Sequence, residues 1–317
     1  MNDEIWVPVS GRQEWGELFP RDMPTPLAQT WEWGEAKTAI GRQVVRYRLR
    51  MESGTAIQAE SRRPGFLWAP GAPSGTVTQE SARHVGSLAD QLGRPVVVSP
   101  HFPLPGIRPL RHHPYLPGTV VLDLAIPLPE LRKAFDKKWR NALSKAERSS
   151  LTLVDGSIDE LLALQADLSA RKGFRVPYTP AFVHALKGIS EGKFGVRMAT
   201  SGGQTLAAWA DVIGGNTATY LIGATTDAGR ASNASYLLAY DALSRLKEAG
   251  ARFLDLGGAG PASDGGTHRF KAGMGGDLGV FPGSYCFGRG PRGALVHLAF
   301  ELRSLAGSAC PRPPRGS

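Results

Sequence analysis

The spacing of apolar residues changes along the chain and divides it into two parts. In the first part apolar residues come in short runs, such as VVRYRLR at 44–50 and PVVVSP at 95–100, in a background rich in proline, glycine and tryptophan. Such runs predict short strands, while TWEWGEAKTAI at 30–40 predicts a short helix with Thr30 as its N-cap. We therefore expect an N-terminal domain over residues 1–126.

The second part has longer periodic segments. Apolar residues recur every three or four positions over 128–150, which predicts one helix with a single buried face. These residues are Leu128, Leu131, Phe135, Trp139, Ala142 and Ala146. The same criteria predict further helices at 158–170, 180–189 and 235–249. They predict strands at 151–154, 194–200, 205–213, 217–224, 252–256 and 278–288.

The order of these elements indicates a fold. Two helices, antiparallel strands, a helix and two more strands follow one another as in the GNAT-type acyltransferase fold. This order predicts an α/β protein with a mixed sheet and a C-terminal domain over residues 127–306. Residues 307–317, which include CPRPPRGS, have nothing to pack against and are predicted to be disordered.

The chain is strongly basic. Its 317 residues include 37 Lys and Arg against 28 Asp and Glu, a formal net charge of +9. The outer positions of segment 128–150 carry more basic than acidic side chains. An excess of positive charge favours a polyanionic partner such as a nucleotide, tRNA or an anionic membrane surface, and a solvated basic surface is the alternative.

Several kinds of chemistry are not predicted. The two cysteines, Cys286 and Cys310, form no CxxC pair, and no His or carboxylate spacing suits a metal, so neither disulfides nor a metal site is expected. The polar segment 223–238 lacks the glycine spacing with which acyltransferases hold coenzyme A, and Asp227 stands where a phosphate would lie. We therefore expect no cofactor. No signal peptide and no apolar run of about 20 residues is present, which predicts a cytoplasmic protein.

Seven segments resemble, in the same order, those of the Fem-type aminoacyltransferases, which build the interpeptide bridges of peptidoglycan. They are LAQTWEWGEAK (27–37), TVVLDL (119–124), KKWRNALSKAERSSLTL (137–153), ARKGFRVPY (170–178), ATYLIGATTDAGRASNASYLLAYDAL (218–243), FLDLGG (253–258) and FKAGMGG (270–276). The resemblance covers residues 27–287 and implies two GNAT-like domains side by side. It also implies transfer of an amino acid from aminoacyl-tRNA to an amine of a muramyl-peptide precursor.

The resemblance implies a catalytic group around FKAGMGG. Lys271 would stabilise the negative charge that develops on the ester carbonyl oxygen when an amine attacks it. Phe270 would shape the acceptor channel. Asp123, at the end of a predicted strand, is a candidate to accept the proton of the amine or to orient it, and capping a turn is its alternative role. The alternative for Lys271 is a solvated lysine at the end of a short helix.

The resemblance also implies residues that bind the acceptor. Lys37 matches the lysine that contacts the diphosphate of the precursor, and Arg171 and Arg175 would complete a cationic clamp, with Arg175 preferred. Further candidates are Trp33, Tyr220, Tyr236, Gly257 and Gly258, and for the three aromatic residues ordinary packing is the alternative. Asp255 is expected to be structural, bonding backbone amides.

Some questions stay open at this level. Many relatives insert a long helical arm thought to touch tRNA, but the stretch between 170 and 194 is too short for one, so no arm is expected. A lipid-linked acceptor would bring the protein to a membrane surface. The alternatives are a tRNA-dependent transferase acting on a secondary metabolite or other small acceptor, an acyl-coenzyme-A N-acyltransferase, and a basic RNA-binding protein without catalysis.

Overall fold

Two compact units make up the computed structural model of the chain. Unit 1 comprises residues 1–19, 43–116 and 280–317, and unit 2 comprises residues 20–42 and 117–279. The structure describes residues 5–50, 55–63, 65–71, 79–100, 103–104, 106–110, 118–173, 176–258, 265–280, 282–288 and 290–309.

The helices and strands alternate irregularly along the chain. The strands are β1 (Trp6–Pro8), β2 (Val44–Leu49), β3 (Ala56–Arg62), β4 (Phe66–Pro70), β5 (Val96–Ser99), β6 (Gly118–Asp123), β7 (Thr152–Asp155), β8 (Phe194–Ser201), β9 (Gln204–Gly214), β10 (Thr217–Thr225), β11 (Phe253–Gly258), β12 (Asp277–Val280) and β13 (Tyr285–Phe287). The helices are α1 (Arg12–Glu17), α2 (Trp31–Ala39), α3 (Gln79–Leu92), α4 (Leu128–Ala134), α5 (Lys137–Glu147), α6 (Ile158–Lys172), α7 (Pro180–Ile189), α8 (Asp227–Ala231), α9 (Ala234–Glu248), α10 (Gly265–Ala272) and α11 (Gly290–Ala309).

Unit 1 is built on a six-stranded sheet in the order β1-β2-β3-β4-β5-β13. β4 and β5 are parallel, and the other neighbours are antiparallel. Alternate residues such as Ile57 on β3 and Val96 and Val98 on β5 are fully buried in one core, as expected for strands with one covered face. The indole N–H of Trp6 donates to the carbonyl of His84 at 2.9 Å and joins β1 to α3.

Unit 2 is built on a seven-stranded sheet in the order β12-β6-β11-β10-β9-β8-β7. β7 to β10 are antiparallel neighbours, β10 and β11 are parallel, and β11 and β6 are antiparallel. One face of the sheet packs against apolar residues of α4, α5 and α9, and the other against those of α2, α6 and α7. The predicted α/β class with mixed sheets is confirmed.

Local capping explains where the helices of unit 2 begin and end. Thr30 accepts a hydrogen bond from the amide of Trp33 at the start of α2, and Ser157 forms a capping box with Glu160 at the start of α6. α9 ends before Gly250, whose φ of +82° suits glycine. The predicted helices that correspond to α2, α6, α7 and α9 are therefore confirmed. Between α6 and β8 the described residues contain only α7 and short connections, in agreement with a chain that lacks a helical arm.

The single helix expected over 128–150 is wrong, because the chain forms α4 and α5 instead. Phe135 and Asp136 are extended, with ψ values of 145° and 159°. The carboxylate of Asp136 accepts a hydrogen bond from the amide of Trp139 at 2.7 Å and thereby starts a new helix. The apolar period continues across the break, since Leu131, Phe135 and Trp139 all enter the same core. Apolar spacing alone therefore did not reveal the cap.

The two compact units do not follow the domain boundaries expected from the sequence. The strand expected at 278–288 is two strands, of which β12 joins the sheet of unit 2 and β13 joins the sheet of unit 1. β6 pairs with β11 in unit 2, although the sequence placed it in the first domain. α11 was not predicted, and its C-terminal end extends into the tail expected at 307–317. Val296 and Phe300 of α11 lie in a small core of unit 1. Residues 310–317 lie outside the described residues.

No described helix is long and apolar enough to cross a membrane. In the same part of the chain, no group of three His, Cys, Asp or Glu side chains is arranged to hold a metal ion.

The cap at Asp136 can be tested by substitution. Asp136→Ala removes the acceptor for the Trp139 amide, so we expect the free energy of unfolding to fall by about 1 kcal/mol. Asp136→Asn keeps an acceptor at this position and should lose clearly less. Urea denaturation of the two variants measures the difference. An equal loss in both would show that the negative charge, rather than the cap, is what matters.

Candidate active site

A cavity opens in unit 2 where two parallel strands stop pairing. β10 and β11 are in register only from Thr217 and Phe253 to Thr219 and Asp255, although both strands continue. β10 has an irregularity just beyond this point, at Tyr220. A cavity of about 510 Å³ lies there, lined by the end of β10, the start of α9 and parts of α6, α8 and α10. Ligand sites commonly lie where neighbouring parallel strands separate.

Two glycines at the end of β11 allow the backbone to approach the side of the cavity. Gly257 has a φ of +67°, a conformation that favours glycine. A Cβ there would lie 3.2 Å from the carbonyl oxygen of Tyr220 and 3.9 Å from Nζ of Lys271. Gly258 contributes its carbonyl to Lys271, so both predicted glycines lie beside the candidate catalytic lysine.

Lys271 is on the last turn of α10 and is only 7% exposed. Its Nζ lines the cavity and donates a hydrogen bond to the carbonyl of Gly258 at 2.8 Å. Burial lowers the pKa of Lys271 to about 8, and the negative charge of Asp255 opposes the shift in part. Lys271 does end a short helix, as its alternative reading required, but it is not a solvated cap.

Asp255 is the acidic group whose charge acts on Lys271. Its carboxylate accepts hydrogen bonds from the hydroxyl of Thr119 and, at 2.8 Å, from the amide of Gly257. These contacts agree with the expectation that Asp255 bonds backbone amides. Burial, with the charge of Asp255 as a smaller cause, also raises the pKa of Tyr178 to about 12. Asp255 therefore holds the glycine turn and partly balances the buried ammonium.

Aromatic side chains form one wall of the cavity. The rings of Phe270 and Tyr236 meet edge to face with centroids 5.2 Å apart, and Trp139 packs against both. The indole N–H of Trp139 donates to the carbonyl of Phe270 at 2.9 Å, which fixes α10 to α5. Burial raises the pKa of Tyr220 and of Tyr236, so both hydroxyls are protonated near neutral pH. Phe270, Tyr220 and Tyr236 thus line the same cavity as Lys271.

Two further cationic residues line the cavity, and the sequence did not indicate either. They are Lys172 at the end of α6 and Arg230 on α8. Arg230 pairs with Asp227, and Arg171 donates to the same carboxylate at 3.0 Å. The predicted phosphate ligand Arg171 is therefore already ion-paired on the surface. A search for basic residues three or four positions from the predicted contacts would have found Lys172.

The structure does not bring Asp123 to this site. Asp123 is the register partner of Phe253, at the start of β11, whereas Lys271 contacts the end of that strand. Its carboxylate pairs with Arg252 and accepts a hydrogen bond from the amide of Ala125 at 2.8 Å. The turn-capping alternative for Asp123 accounts for these contacts, and none of them joins Asp123 to Lys271.

The predicted diphosphate ligands are only partly described. Nζ of Lys37 lies 4.4 Å from the ring centroid of Phe182 and 5.1 Å from that of Trp33, a cation–π arrangement. Trp33 also meets Phe182 edge to face, so it packs α2 against α7. Arg175 lies outside the described residues. The clamp of Lys37 with an arginine stays a prediction.

Comparison with known proteins places this geometry in a fold class. Residues 130–272 match the family model described as an acetyltransferase (GNAT) domain. This range contains Lys271 and every lining residue of the cavity. No curated protein matches the chain at a significant level. The cavity therefore belongs to a domain of GNAT type.

Solved structures extend the likeness to the whole chain. FemX is 14% identical, with a TM-score of 0.76, and the match covers 93% of this chain and 100% of that one. The C-terminal domain of an Agrobacterium fabrum protein assigned as a lysylphosphatidylglycerol synthetase is 18% identical, with a TM-score of 0.52 and coverage of 87% and 92%. A tandem GNAT protein from the clavulanic acid biosynthesis pathway is 12% identical, with a TM-score of 0.50 and coverage of 90% and 99%. The chain has the Fem-type GNAT fold, as the sequence resemblance predicted.

The buried lysine leads to a prediction about stability. The folded pKa of about 8 lies below the ordinary value of 10.5, so the charged lysine costs about 3 kcal/mol of folding free energy at pH 7. This cost is fully present below pH 8 and disappears as the pH rises from 8 to 10.5. Lys271→Met removes the cost but leaves the carbonyl of Gly258 without its donor, so we expect it to be about 1 kcal/mol more stable than wild type at pH 7.

Urea denaturation of both proteins at pH 7 and pH 10 tests this expectation. The advantage of Lys271→Met should vanish or reverse at pH 10. Lys145→Met, which changes an exposed lysine of α5, should alter stability little at either pH. A Lys271→Met protein that is clearly less stable than wild type at pH 7 would show that the ammonium serves to hold the fold together.

Proposed function

We propose that the protein is an aminoacyltransferase that moves an amino acid from aminoacyl-tRNA to an amine of a peptidoglycan precursor, either a uridine-diphospho-muramyl peptide or its lipid-linked form. The observation that carries the proposal is the buried ammonium of Lys271, which lines a cavity beside the separating strands β10 and β11. The Fem-type fold and the likeness to a domain assigned as a lysylphosphatidylglycerol synthetase support it.

Lys271 has the properties that the chemistry requires. The acceptor nitrogen attacks the ester carbonyl carbon, a C–N bond forms, and the C–O bond to the terminal ribose of tRNA breaks. The nitrogen loses a proton and the ribose oxygen gains one. Negative charge develops on the carbonyl oxygen during attack, and a preorganised cation in a poorly hydrated site stabilises it far better than water does.

The remaining lining residues fit the two substrates. Lys172 gives the cavity a positive charge suited to the phosphates at the 3′ end of tRNA, whereas Arg230 is already paired with Asp227. Phe270 and Tyr236 offer an apolar wall for the aminoacyl or peptide portion. Lys37, with Arg171 or Arg175, is proposed to bind the phosphates of the acceptor. An acceptor of another kind, such as a secondary metabolite, would use the same donor site.

A second candidate is an acyl-coenzyme-A-dependent N-acyltransferase. The match to an acetyltransferase model favours it. The segment after β10 argues against it, because the exposed carboxylate of Asp227 stands beside Arg230 at the start of α8, where such enzymes hold a pyrophosphate. A thermal-shift measurement with coenzyme A separates the two, since stabilisation at micromolar concentration would favour this candidate.

The proposal predicts a product that can be weighed. Incubation with a pool of charged tRNAs and muramyl-peptide precursors should give an acceptor heavier by one aminoacyl residue, detected by mass spectrometry. Lys271→Ala should lower the rate by about 10²–10³, because it removes the cation from the carbonyl oxygen. Unchanged turnover in this variant would exclude Lys271 from the reaction.

The pH dependence of the rate tests the protonation state of Lys271. A cationic role requires the ammonium, so kcat should fall as the pH rises through about 8. Lys271→Arg keeps its charge at all these pH values and should lack this fall, whatever its absolute rate. A wild-type rate that instead rises through pH 8 and levels off, with no such rise in Lys271→Arg, would assign the neutral amine of Lys271 as a base.

A further inference from the structure

A buried charge lies on β9, in the layer between the sheet of unit 2 and α9. Asp211 is only 1% exposed. Its Oδ2 accepts a hydrogen bond from Nη2 of Arg245 at 2.7 Å and from the indole N–H of Trp209 at 2.9 Å. Arg245 also donates to Asp241, one turn earlier on α9. A Cβ at Gly195 on β8 would lie 2.7 Å from the other oxygen of Asp211, so a glycine there leaves room for the carboxylate.

The indole held by Asp211 supports a residue of the cavity. The ring of Trp209 is stacked on that of Tyr220, with centroids 3.8 Å apart and an angle of 20° between the planes. Tyr220 stands opposite Asp211 in the sheet, and Gly223 stands opposite Trp209. The ring of Tyr220 therefore lies along its own strand, above Trp209. A Cβ at Gly223 would overlap the Tyr220 hydroxyl, so this position of the ring requires glycine.

The supported ring contacts the candidate catalytic cation. Nζ of Lys271 lies 5.4 Å from the centroid of Tyr220, within the range of a cation–π interaction. The face of an aromatic ring stabilises an ammonium in a site that water reaches poorly. Tyr220 therefore favours the charged form of Lys271, and it can do so only while its ring stays in this orientation.

We propose that Asp211 and Trp209 are positioning residues, which hold the ring of Tyr220 where it stabilises the Lys271 ammonium. Neither residue touches the cavity, and both act through Tyr220. The catalytic consequence rests on the proposed function, but the contact itself does not. A buried Asp–Arg pair is weak grounds for stability, since its desolvation offsets much of the attraction. The hydrogen bond that Asp211 accepts from the indole gives this pair a specific role, which is to orient Trp209.

The measurement reads the protonation of Lys271 directly, without a substrate. Trace acetylation with acetic anhydride across a pH series, followed by peptide mass spectrometry, gives the pKa at which Lys271 becomes reactive. Wild type should give about 8. Trp209→Leu should lower the value by roughly half to one and a half pH units, the range expected from loss of a cation–π contact. Trp15→Leu, a buried tryptophan of unit 1, should leave it unchanged.

A matched pair at Asp211 separates positioning from general damage. Both Asp211→Asn and Asp211→Leu remove the negative charge that faces Arg245. Only Asp211→Asn keeps an acceptor for the indole N–H, so it should retain the wild-type value for Lys271 while Asp211→Leu lowers it. The other groups around Lys271 remain in every variant: they are Asp255 on β11, Tyr236 on α9, Lys172 on α6 and Arg230 on α8.

A double variant completes the test. In a Tyr220→Leu background the contact is already lost, so adding Trp209→Leu should cause no further change in the pKa of Lys271. Should Trp209→Leu fail to fold, Gly223→Ala displaces the Tyr220 ring and the Asp211 pair still tests the link to Trp209. The proposal is overturned if Trp209→Leu and Asp211→Leu lower stability but leave Lys271 titrating as in wild type. Absence of aminoacyl transfer would refute the proposed function and leave this result intact.

Discussion

The ammonium of Lys271 is held by one backbone carbonyl, that of Gly258, just beyond the point where β10 and β11 stop pairing. In a sheet that continued, the backbone carbonyls at this position would accept hydrogen bonds from the amides of the neighbouring strand. Separation of the strands instead leaves a backbone acceptor at the side of a cavity, and α10 returns a lysine to it. The left-handed turn at Gly257 and its bond to Asp255 follow from the same constraint, because the chain must leave the sheet sharply.

Unit 2 contains two kinds of buried charge, and they differ in what surrounds them. Asp211 accepts short hydrogen bonds from Arg245 and Trp209, which offset part of the effect of burial, although burial still raises its pKa. Lys271 makes one described hydrogen bond, and the negative charge of Asp255 opposes the effect of burial only in part, so the pKa of Lys271 falls. A buried charge that is only partly compensated lowers the stability of the fold. It is also the arrangement expected at a site that must stabilise a transient charge of opposite sign. The paired charge of Asp211 instead lies where, on our proposal, the ring of Tyr220 must be oriented.

Sequence reasoning predicted most of the elements of unit 2 because its helices carry strong caps and its strands alternate clearly; Thr30 and Gly250 are examples. The failures have physical causes. At Asp136 an N-cap starts a new helix although the apolar spacing continues across it, and one apolar run forms both β12 and β13, which belong to different sheets.

Within the site, Lys271 and Phe270 were predicted through a family resemblance. Asp123 was expected at the site, but it pairs with Phe253 at the start of β11, whereas Lys271 contacts Gly258 at the end of that strand. Arg230 and Trp209 carry no local signal, since only the folded chain brings them to the cavity or to Tyr220.

The absence of a carboxylate from the described lining of the cavity constrains the proposed reaction. Asp123 lies at the far end of β11, and one oxygen of Asp255 is occupied by Thr119 and Gly257. Among the described lining residues none is Asp, Glu or His. A carboxylate placed close to Lys271 would raise the lysine pKa and partly cancel its charge. Under the proposed function, we expect the amine proton to pass to a carboxylate or phosphate of the substrate itself or to water. On this view the site contributes positive charge, and the acceptor contributes its own base.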